Sequence, residues 1–226
     1  MSEVGKARPP AAPQGGSAAL PRAEVRQLFA TPVVVALLPE AAALNRSLKE
    51  TILAHEQSHP SAQHSNLGGW QSSWTLQDWG GPAAQQVLAT ARALADQLTS
   101  DRQGRPVKVD WKINSWANVN RSGHGNEFHS HPGSFWSGSY YVDDGGIAVD
   151  PSLGGEFEVQ DPRGVAPAMY APALTFTGRG GPSLGAAEML SPRAGMMVLF
   201  PSWLQHAVRP YRGNGLRISI AFNLSV

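Results

Sequence analysis

The spacing of apolar residues predicts two helices in the first half of the chain. Between residue 40 and about residue 56, apolar side chains recur every four positions at Leu44, Leu48 and Ile52, which is the period of one helical face. A second helix is predicted from about Pro82 to Thr99, because a proline stands in its first turn and its apolar residues share one face. That face carries Val87, Ala91, Leu94 and Leu98.

After Pro106 apolar residues alternate with polar ones, which is the period of a half-buried strand. The first alternating run is VKVDWKI, and Gly, Pro and Asp clusters separate it from FWSGSYYV, GEFEVQ, MYAPALTF, MMVLF and RISIAFNL. Near the start of the chain, VVVALL at 33–38 predicts a buried strand and is too short to span a bilayer. Two helices followed by seven or eight short strands predict an α+β, mainly β fold. We expect a double-stranded β-helix, or cupin-like jelly-roll, with the N-terminal helices packed on one sheet.

The last run, RISIAFNL, has one wholly apolar face and one polar face. The apolar face carries Ile218, Ile220, Phe222 and Leu224, and we expect the helices to cover it. The other face carries Arg217 and Ser219 and looks into the barrel. An arginine inside a small barrel is costly unless it meets an anion, so this strand predicts an anionic ligand.

Composition excludes some functions and limits the chemistry of others. The 226 residues carry a formal net charge of +1, which gives no reason to expect nucleic acid or an acidic membrane as a partner. There is no cysteine, so a metal site would use His, Asp or Glu, and the chain suits a reducing cytoplasm. Residues 1–24 predict a disordered leader rich in Pro, Gly and Ala, and residues 25–226 a single jelly-roll domain.

The segment EFHSHP is the first candidate for metal binding. His129 and His131 are two residues apart, so on an extended backbone they project from the same face and can hold one ion together. His206, after the apolar run MMVLF, is the best candidate for a third ligand. Glu127 shares the face of His129 and offers a carboxylate as an alternative.

The order HxH, distal His, then Arg eleven positions later and Ser two further resembles the iron(II)- and 2-oxoglutarate-dependent dioxygenases. More narrowly, the chain is similar to a bacterial and phage branch of these oxygenases with an HxHP motif. The resemblance extends from about residue 28 to the end. It rests on GGWQS, HSHPGSFWSGSYYV, DPR, PRAGMMVLFPSWLQHAVRP and RISIAFN.

This resemblance implies an enzyme that uses iron(II), the co-substrate 2-oxoglutarate and O2. It implies metal ligation by His129, His131 and His206, with Arg217 and Ser219 gripping the distal carboxylate of 2-oxoglutarate. The implied reaction is hydroxylation of an unactivated C–H bond in an amino acid, a peptide side chain or a small natural-product intermediate, giving succinate and CO2. Further expected contacts are Asn118, Ser137 and Tyr141 for 2-oxoglutarate, and Arg163 and Trp136 for the substrate.

Alternatives remain open from the sequence. The usual family pair is HxD or HxE, whereas this chain has His131, so Glu127 could complete the ligands, or only two protein ligands could be used as in halogenating relatives. Three histidines also suit a zinc hydrolase or hydratase, or a cupin-like module that binds a metal or small acid without turnover. Apart from a small-molecule or peptide substrate, a homodimer is a candidate partner. The stretches 59–81 and 164–187 are candidate lids.

Overall fold

Two antiparallel sheets face each other, and helices cover the outer face of the larger one. The structure, a computed structural model, describes residues 30–164, 171, 173 and 187–226. The predicted leader, residues 1–24, lies outside the described residues, as do most of the predicted strand MYAPALTF and most of the candidate lid 164–187. The predicted fold class, a mainly β jelly-roll with helices on one sheet, is confirmed.

The larger sheet has six strands in the order β1-β9-β6-β11-β4-β3, and the smaller has five in the order β2-β5-β10-β7-β8. The helices are α1 (Ala41–Ser58), α2 (Leu76–Trp79) and α3 (Gly81–Leu98). The first six strands are β1 (Val34–Leu37), β2 (Asn66–Leu67), β3 (Trp70–Gln71), β4 (Lys112–Asn120), β5 (Gly125–His129) and β6 (Trp136–Asp144). The others are β7 (Phe157–Gln160), β8 (Ala187–Leu190), β9 (Met196–Pro201), β10 (His206–Val208) and β11 (Arg217–Ser225).

The main core lies between the helices and the six-stranded sheet. Leu48 and Ile52 of α1 are fully buried there, in one cluster with the apolar face of β11. That face is inaccessible to solvent along its whole length, at Ile218, Ile220, Phe222 and Leu224. Burying one such side chain contributes roughly 1.5–3 kcal/mol, so the apolar face anchors β11 firmly. The expectation that helices cover β11 is therefore confirmed.

Strand β11 lies at the centre of the larger sheet, between β4 and β6. On the face that looks towards the smaller sheet, Ser219 lies opposite Asn118 of β4 and Tyr141 of β6. Arg217 lies two residues earlier on the same face. The polar face of β11 is thus surrounded by side chains from both neighbouring strands.

A β-bulge in β6 interrupts its pairing with β11. Ile218 lies opposite Asp143 while Ser219 lies opposite Tyr141, so Val142 is an extra residue in β6. Val142 packs in the helix-covered cluster, and Asp143 accepts an ion-pair contact of 2.7 Å from Lys49 on α1. Two successive residues of β6 therefore point towards the helices.

Two sequence expectations need correction. In VKVDWKI only the last two residues belong to β4, because residues 107–111 run beside α3, where Trp111 donates a 2.8 Å hydrogen bond to Asp96. The strand in VVVALL forms, but within the described residues β1 is an edge strand whose one partner is β9, and Val35 and Leu37 are more than half exposed. No helix in the described part of the chain is long and apolar enough to cross a membrane.

Candidate metal centre

Three histidines converge between the ends of two strands in the smaller sheet. His206 begins β10 and lies directly opposite His129, the last residue of β5, while His131 follows two residues later. One ring nitrogen from each of the three lies within 4.8 Å of the others. Adjacent imidazole nitrogens at this spacing match the donor set of a single metal ion with three facial ligands.

The backbone orients two of these imidazole rings. Nδ1 of His129 lies 2.8 Å from the carbonyl oxygen of Glu127, and Nδ1 of His206 lies 2.8 Å from that of Leu204. Because a carbonyl only accepts hydrogen bonds, each Nδ1 must carry the proton and each Nε2 a lone pair. This is the tautomer that a metal requires, held by the same outer contact that orients metal-bound histidines generally.

Burial keeps the three imidazoles neutral. It lowers the pKa of His206 to about 3, with repulsion from His129 adding to the effect. It lowers the pKa of His131 to about 4, again with a contribution from His129, and it also lowers the pKa of His129. A protonated imidazole cannot ligate a metal, so these shifts favour the ligand form.

Glu127 does not join the group. Its side chain is exposed, and the cluster of close ligand atoms in the described residues contains histidines alone. What Glu127 contributes is its backbone carbonyl, which orients His129. The geometry therefore supports the ligand set with His131 over the alternative with Glu127.

Arg217 lies on the interior face of the larger sheet as an almost fully buried cation, with 2% of its surface exposed. Its Nε donates a 3.1 Å hydrogen bond to the carbonyl oxygen of Gly155, and its guanidinium carbon lies 5.2 Å from the ring centroid of Tyr141. Within the described residues no carboxylate lies at ion-pair distance from it. Burial lowers the pKa of Arg217, and Tyr141 and Asp144 oppose that shift.

The hydroxyl of Tyr141 beside this cation is also buried and has no hydrogen-bond partner in the described part of the chain. Burial raises its pKa, so it stays a neutral donor. Among the described residues the cation has no carboxylate partner and the hydroxyl has no acceptor, which is costly for buried groups, and a carboxylate placed between them would satisfy both. The 2-oxoglutarate dianion therefore fits this chemistry.

The other predicted co-substrate contacts lie on the same interior face, but they differ in whether the protein already uses their hydrogen-bonding groups. Ser219 is buried opposite Asn118, whose side chain is partly accessible. Ser137 is buried too, but its hydroxyl donates a 2.7 Å hydrogen bond to Asn223, so the protein itself uses it. Of these residues, Ser219 and Asn118 are better placed than Ser137 to meet a ligand.

The two residues predicted to touch substrate lie elsewhere. The ring of Trp136 is buried in the helix-covered cluster and its Nε1 donates a 2.9 Å hydrogen bond to Thr99, so a substrate role for it stays a prediction without a supporting contact among the described residues. Arg163 forms an ion pair with Asp161 at 2.6 Å while half of its side chain is exposed. Its guanidinium thus stabilises the turn of DPR, and a substrate role for it stays a prediction.

Sequence reasoning missed an aromatic row that leads outward from the histidines. The ring of Trp116 lies 5.8 Å from that of His131, and the ring of Trp74 lies 6.1 Å further on. Trp74 is 47% exposed and contacts His64 at 4.8 Å. Alternation along β4 puts Trp116 on the face of Asn118 and could have revealed it, whereas the position of Trp74 depends on a loop contact.

Comparison with known proteins finds structures with the same fold and one matching family. A prolyl-4-hydroxylase from Pseudomonas putida has a TM-score of 0.61 at 18% identity, covering 88% of this chain and 94% of that one. A prolyl hydroxylase from Trichoplax adhaerens, in complex with a peptide of hypoxia-inducible factor, has a TM-score of 0.59 at 14% identity over 88% and 86%. The 2-oxoglutarate complex of a collagen prolyl hydroxylase from Paramecium Bursaria Chlorella virus-1 has a TM-score of 0.55 at 10% identity over 86% and 96%.

These neighbours share the double-stranded β-helix with this chain. Residues 114–223, which include the three histidines and Arg217, match the family described as "Putative 2OG-Fe(II) oxygenase". This match covers just under half of the chain, including the whole histidine group, and it indicates an enzyme that uses iron(II), 2-oxoglutarate and O2. A search of curated proteins found no match.

Proposed function

We propose that this oxygenase holds iron(II) through His129, His131 and His206, and that it hydroxylates an unactivated C–H bond. The observation that carries the proposal is the combination of three neutral imidazoles at the smaller sheet with a buried arginine on the interior face of the larger sheet that lacks a carboxylate partner in the described residues. Iron(II) with 2-oxoglutarate and O2 supplies the oxidising chemistry, which yields succinate and CO2 beside the oxidised product. The protein supplies orientation, charge and exclusion of water.

Arg217 binds the distal carboxylate of 2-oxoglutarate with its terminal amino groups. Its fork geometry matches a carboxylate bidentately, and its Nε remains anchored to Gly155. The hydroxyls of Tyr141 and Ser219 donate to the same carboxylate, and Asn118 contacts the co-substrate from β4. Because the three imidazoles carry no charge, the full positive charge of the metal attracts the dianion as well.

The substrate is an amino acid, a peptide side chain or a small natural-product intermediate, and the aromatic row supports a group that packs on indole rings. Trp74 exposes nearly half of its surface in the loop after β3, where its ring packs near Trp116 and its backbone carbonyl accepts a hydrogen bond from Ser115 of β4. A fixed, exposed indole offers a large contact area at little entropic cost. A peptide substrate is also consistent with the peptide complex of the neighbouring Trichoplax adhaerens enzyme.

A zinc hydrolase explains less of the interior, because it does not need the combination of Arg217 with the hydroxyl of Tyr141 that has no partner among the described residues. A non-catalytic module that binds a small acid would use both groups and differs from the oxygenase in having no turnover. A hydrolase would also need a general base beside the metal, and the exposed side chain of Glu127 lies outside the histidine group.

The test is anaerobic reconstitution of the apo-protein with iron(II), followed by 2-oxoglutarate and the visible spectrum. A weak charge-transfer band in the green supports bidentate binding of the co-substrate to iron. Amino acids, peptides and natural-product intermediates are then screened under O2 for succinate release and a product heavier by one oxygen atom. Tight zinc binding with no such band would instead favour the hydrolase or the binding module.

The contribution of the aromatic row can be separated with the first substrate found. Trp74→Ala should raise KM with little change in kcat, because the indole provides binding area rather than a reacting group. Leu98→Ala, which truncates a similarly exposed side chain at the end of α3, is the control and should leave both constants unchanged.

A further inference from the structure

Ser65 is a polar side chain beside the histidines that no role assigned so far uses. It directly precedes β2, and its carbonyl oxygen accepts a 2.9 Å hydrogen bond from the backbone N–H of Glu127. The next residue, Asn66, pairs with Asn126 of β5. The backbone on both sides therefore fixes Ser65 alongside the strand that ends in His129.

The hydroxyl of Ser65 has a defined direction. The side-chain amide of Asn126 donates a 3.2 Å hydrogen bond to its oxygen, so this contact uses a lone pair of Ser65 and leaves its proton free. Nε2 of His129 lies 3.5 Å from the hydroxyl oxygen of Ser65 and can accept that proton. This is the nitrogen with the lone pair, because Nδ1 donates to Glu127.

A contact of 3.5 Å is at the outer limit of a hydrogen bond and holds the hydroxyl only weakly. A metal bound to His129 takes the lone pair of Nε2 and removes that acceptor. The hydroxyl of Ser65 then still lies beside the metal-binding nitrogen with a free proton, while Asn126 continues to occupy its oxygen. A donor in this position needs a new acceptor, and a non-protein ligand of the same metal is the nearest candidate.

We infer that Ser65 donates a hydrogen bond to the non-protein ligand that the metal carries next to His129, and that Asn126 is a positioning residue that orients this hydroxyl. The ligand is a small oxygen or anionic acceptor, with water as the resting case. Such a contact would stabilise an exogenous ligand on the metal without adding charge to the three-histidine set. The inference rests on the proposed metal site, and its failure can be told apart from failure of that site.

The test uses the full chain loaded with cobalt(II) and titrated with azide, an anionic acceptor, following the visible d–d bands of cobalt. Ser65→Ala should leave cobalt affinity unchanged and weaken azide about tenfold or more, because hydrogen bonds to charged groups are worth more than neutral ones. Ser65→Thr retains the hydroxyl and should keep most of the azide affinity. Ser73→Ala removes an exposed hydroxyl from the loop after β3 and should match the wild type.

Asn126→Ala should weaken azide by a smaller factor than Ser65→Ala. The double variant should be no weaker than Ser65→Ala alone, because Asn126 acts only through Ser65. Unchanged azide affinity in Ser65→Ala, with cobalt bound normally, would overturn the role of Ser65 and leave the metal site intact. If the wild type bound no cobalt at all, both the metal site and this inference would be refuted.

Discussion

Arg217→Met is predicted to separate ligand binding from stability. Methionine fills much of the same space without charge, in a site where 2% of the arginine surface is exposed and no carboxylate of the described residues forms an ion pair with it. The variant should keep its metal, since all three histidines lie on the smaller sheet or just after it. It should lose most of its affinity for 2-oxoglutarate.

The size of that loss follows from the contacts. A charge-assisted hydrogen-bonded contact is worth about 1.5–3 kcal/mol, so the Kd of 2-oxoglutarate should rise about 10- to 150-fold. Arg217→Lys keeps the charge but loses the planar fork of donors, so its Kd for 2-oxoglutarate should lie between those of the wild type and of Arg217→Met. Without ligand, Arg217→Met should leave the free energy of unfolding unchanged or increase it, because replacing a buried charged group by an apolar one is neutral or stabilising by about 1–4 kcal/mol.

The assay is anaerobic titration of the iron(II) protein with 2-oxoglutarate, followed by the charge-transfer band, beside denaturant unfolding of the apo-protein. Tyr141→Phe is the matched variant, because it removes only the unpartnered hydroxyl and should give a smaller loss of affinity. Normal 2-oxoglutarate affinity in Arg217→Met would refute the assignment of the anion site. A large loss of apo-protein stability would refute the reasoning on the buried charge.

The remaining predictions concern the histidine group. His206→Ala should abolish retention of iron(II) by gel filtration and metal analysis, since only two imidazoles remain, and a variant that keeps a full equivalent would contradict the ligand set. Glu127→Gln should keep its metal, because the side chain is exposed and only the backbone carbonyl is used; metal loss would revive the carboxylate ligand. The free energy of unfolding of the apo-protein should fall as the pH drops from about 6.5 towards 4. In this range the histidines of the unfolded chain bind protons, whereas His131 and His206 of the folded protein, with pKa values of about 4 and 3, stay largely unprotonated. Thermal unfolding from pH 7 to pH 4 measures this slope, which His206→Asn should reduce.

Short-range alternation in the sequence predicts which side chains share a face of a strand, but it does not predict contacts between residues that loops bring together. Alternation along β11 was enough to place Arg217 inside and Ile218 against the helices, because the side-chain period of a strand is independent of its neighbours. Trp136 fits the same alternation, yet the pattern does not say which of the two faces looks inward. That depends on which layer covers the sheet, and the structure puts Trp136 under α3.

Long-range contacts explain the other misses. Ser65 lies 64 positions before His129 in the sequence, and only the two-residue strand β2 brings them together. Residues 107–111 alternate as a strand would, but pack along α3 without a pairing partner in the described larger sheet. In both cases the structural outcome depends on tertiary contacts that the local sequence does not encode.

The bulge at Val142 makes the length of β6 as important as its composition. If β6 paired regularly with β11, either Val142 would lie opposite Ser219 or Asp143 would lie opposite Arg217, so the ring of Tyr141 beside Arg217 and the contact of Asp143 with Lys49 could not both be kept. Substitutions along this strand change one contact at a time, whereas a deletion or insertion of one residue between Trp136 and Tyr141 would displace a whole row of side chains. Functional variants of this protein should therefore differ here by substitution, with the number of residues between Trp136 and Tyr141 held constant.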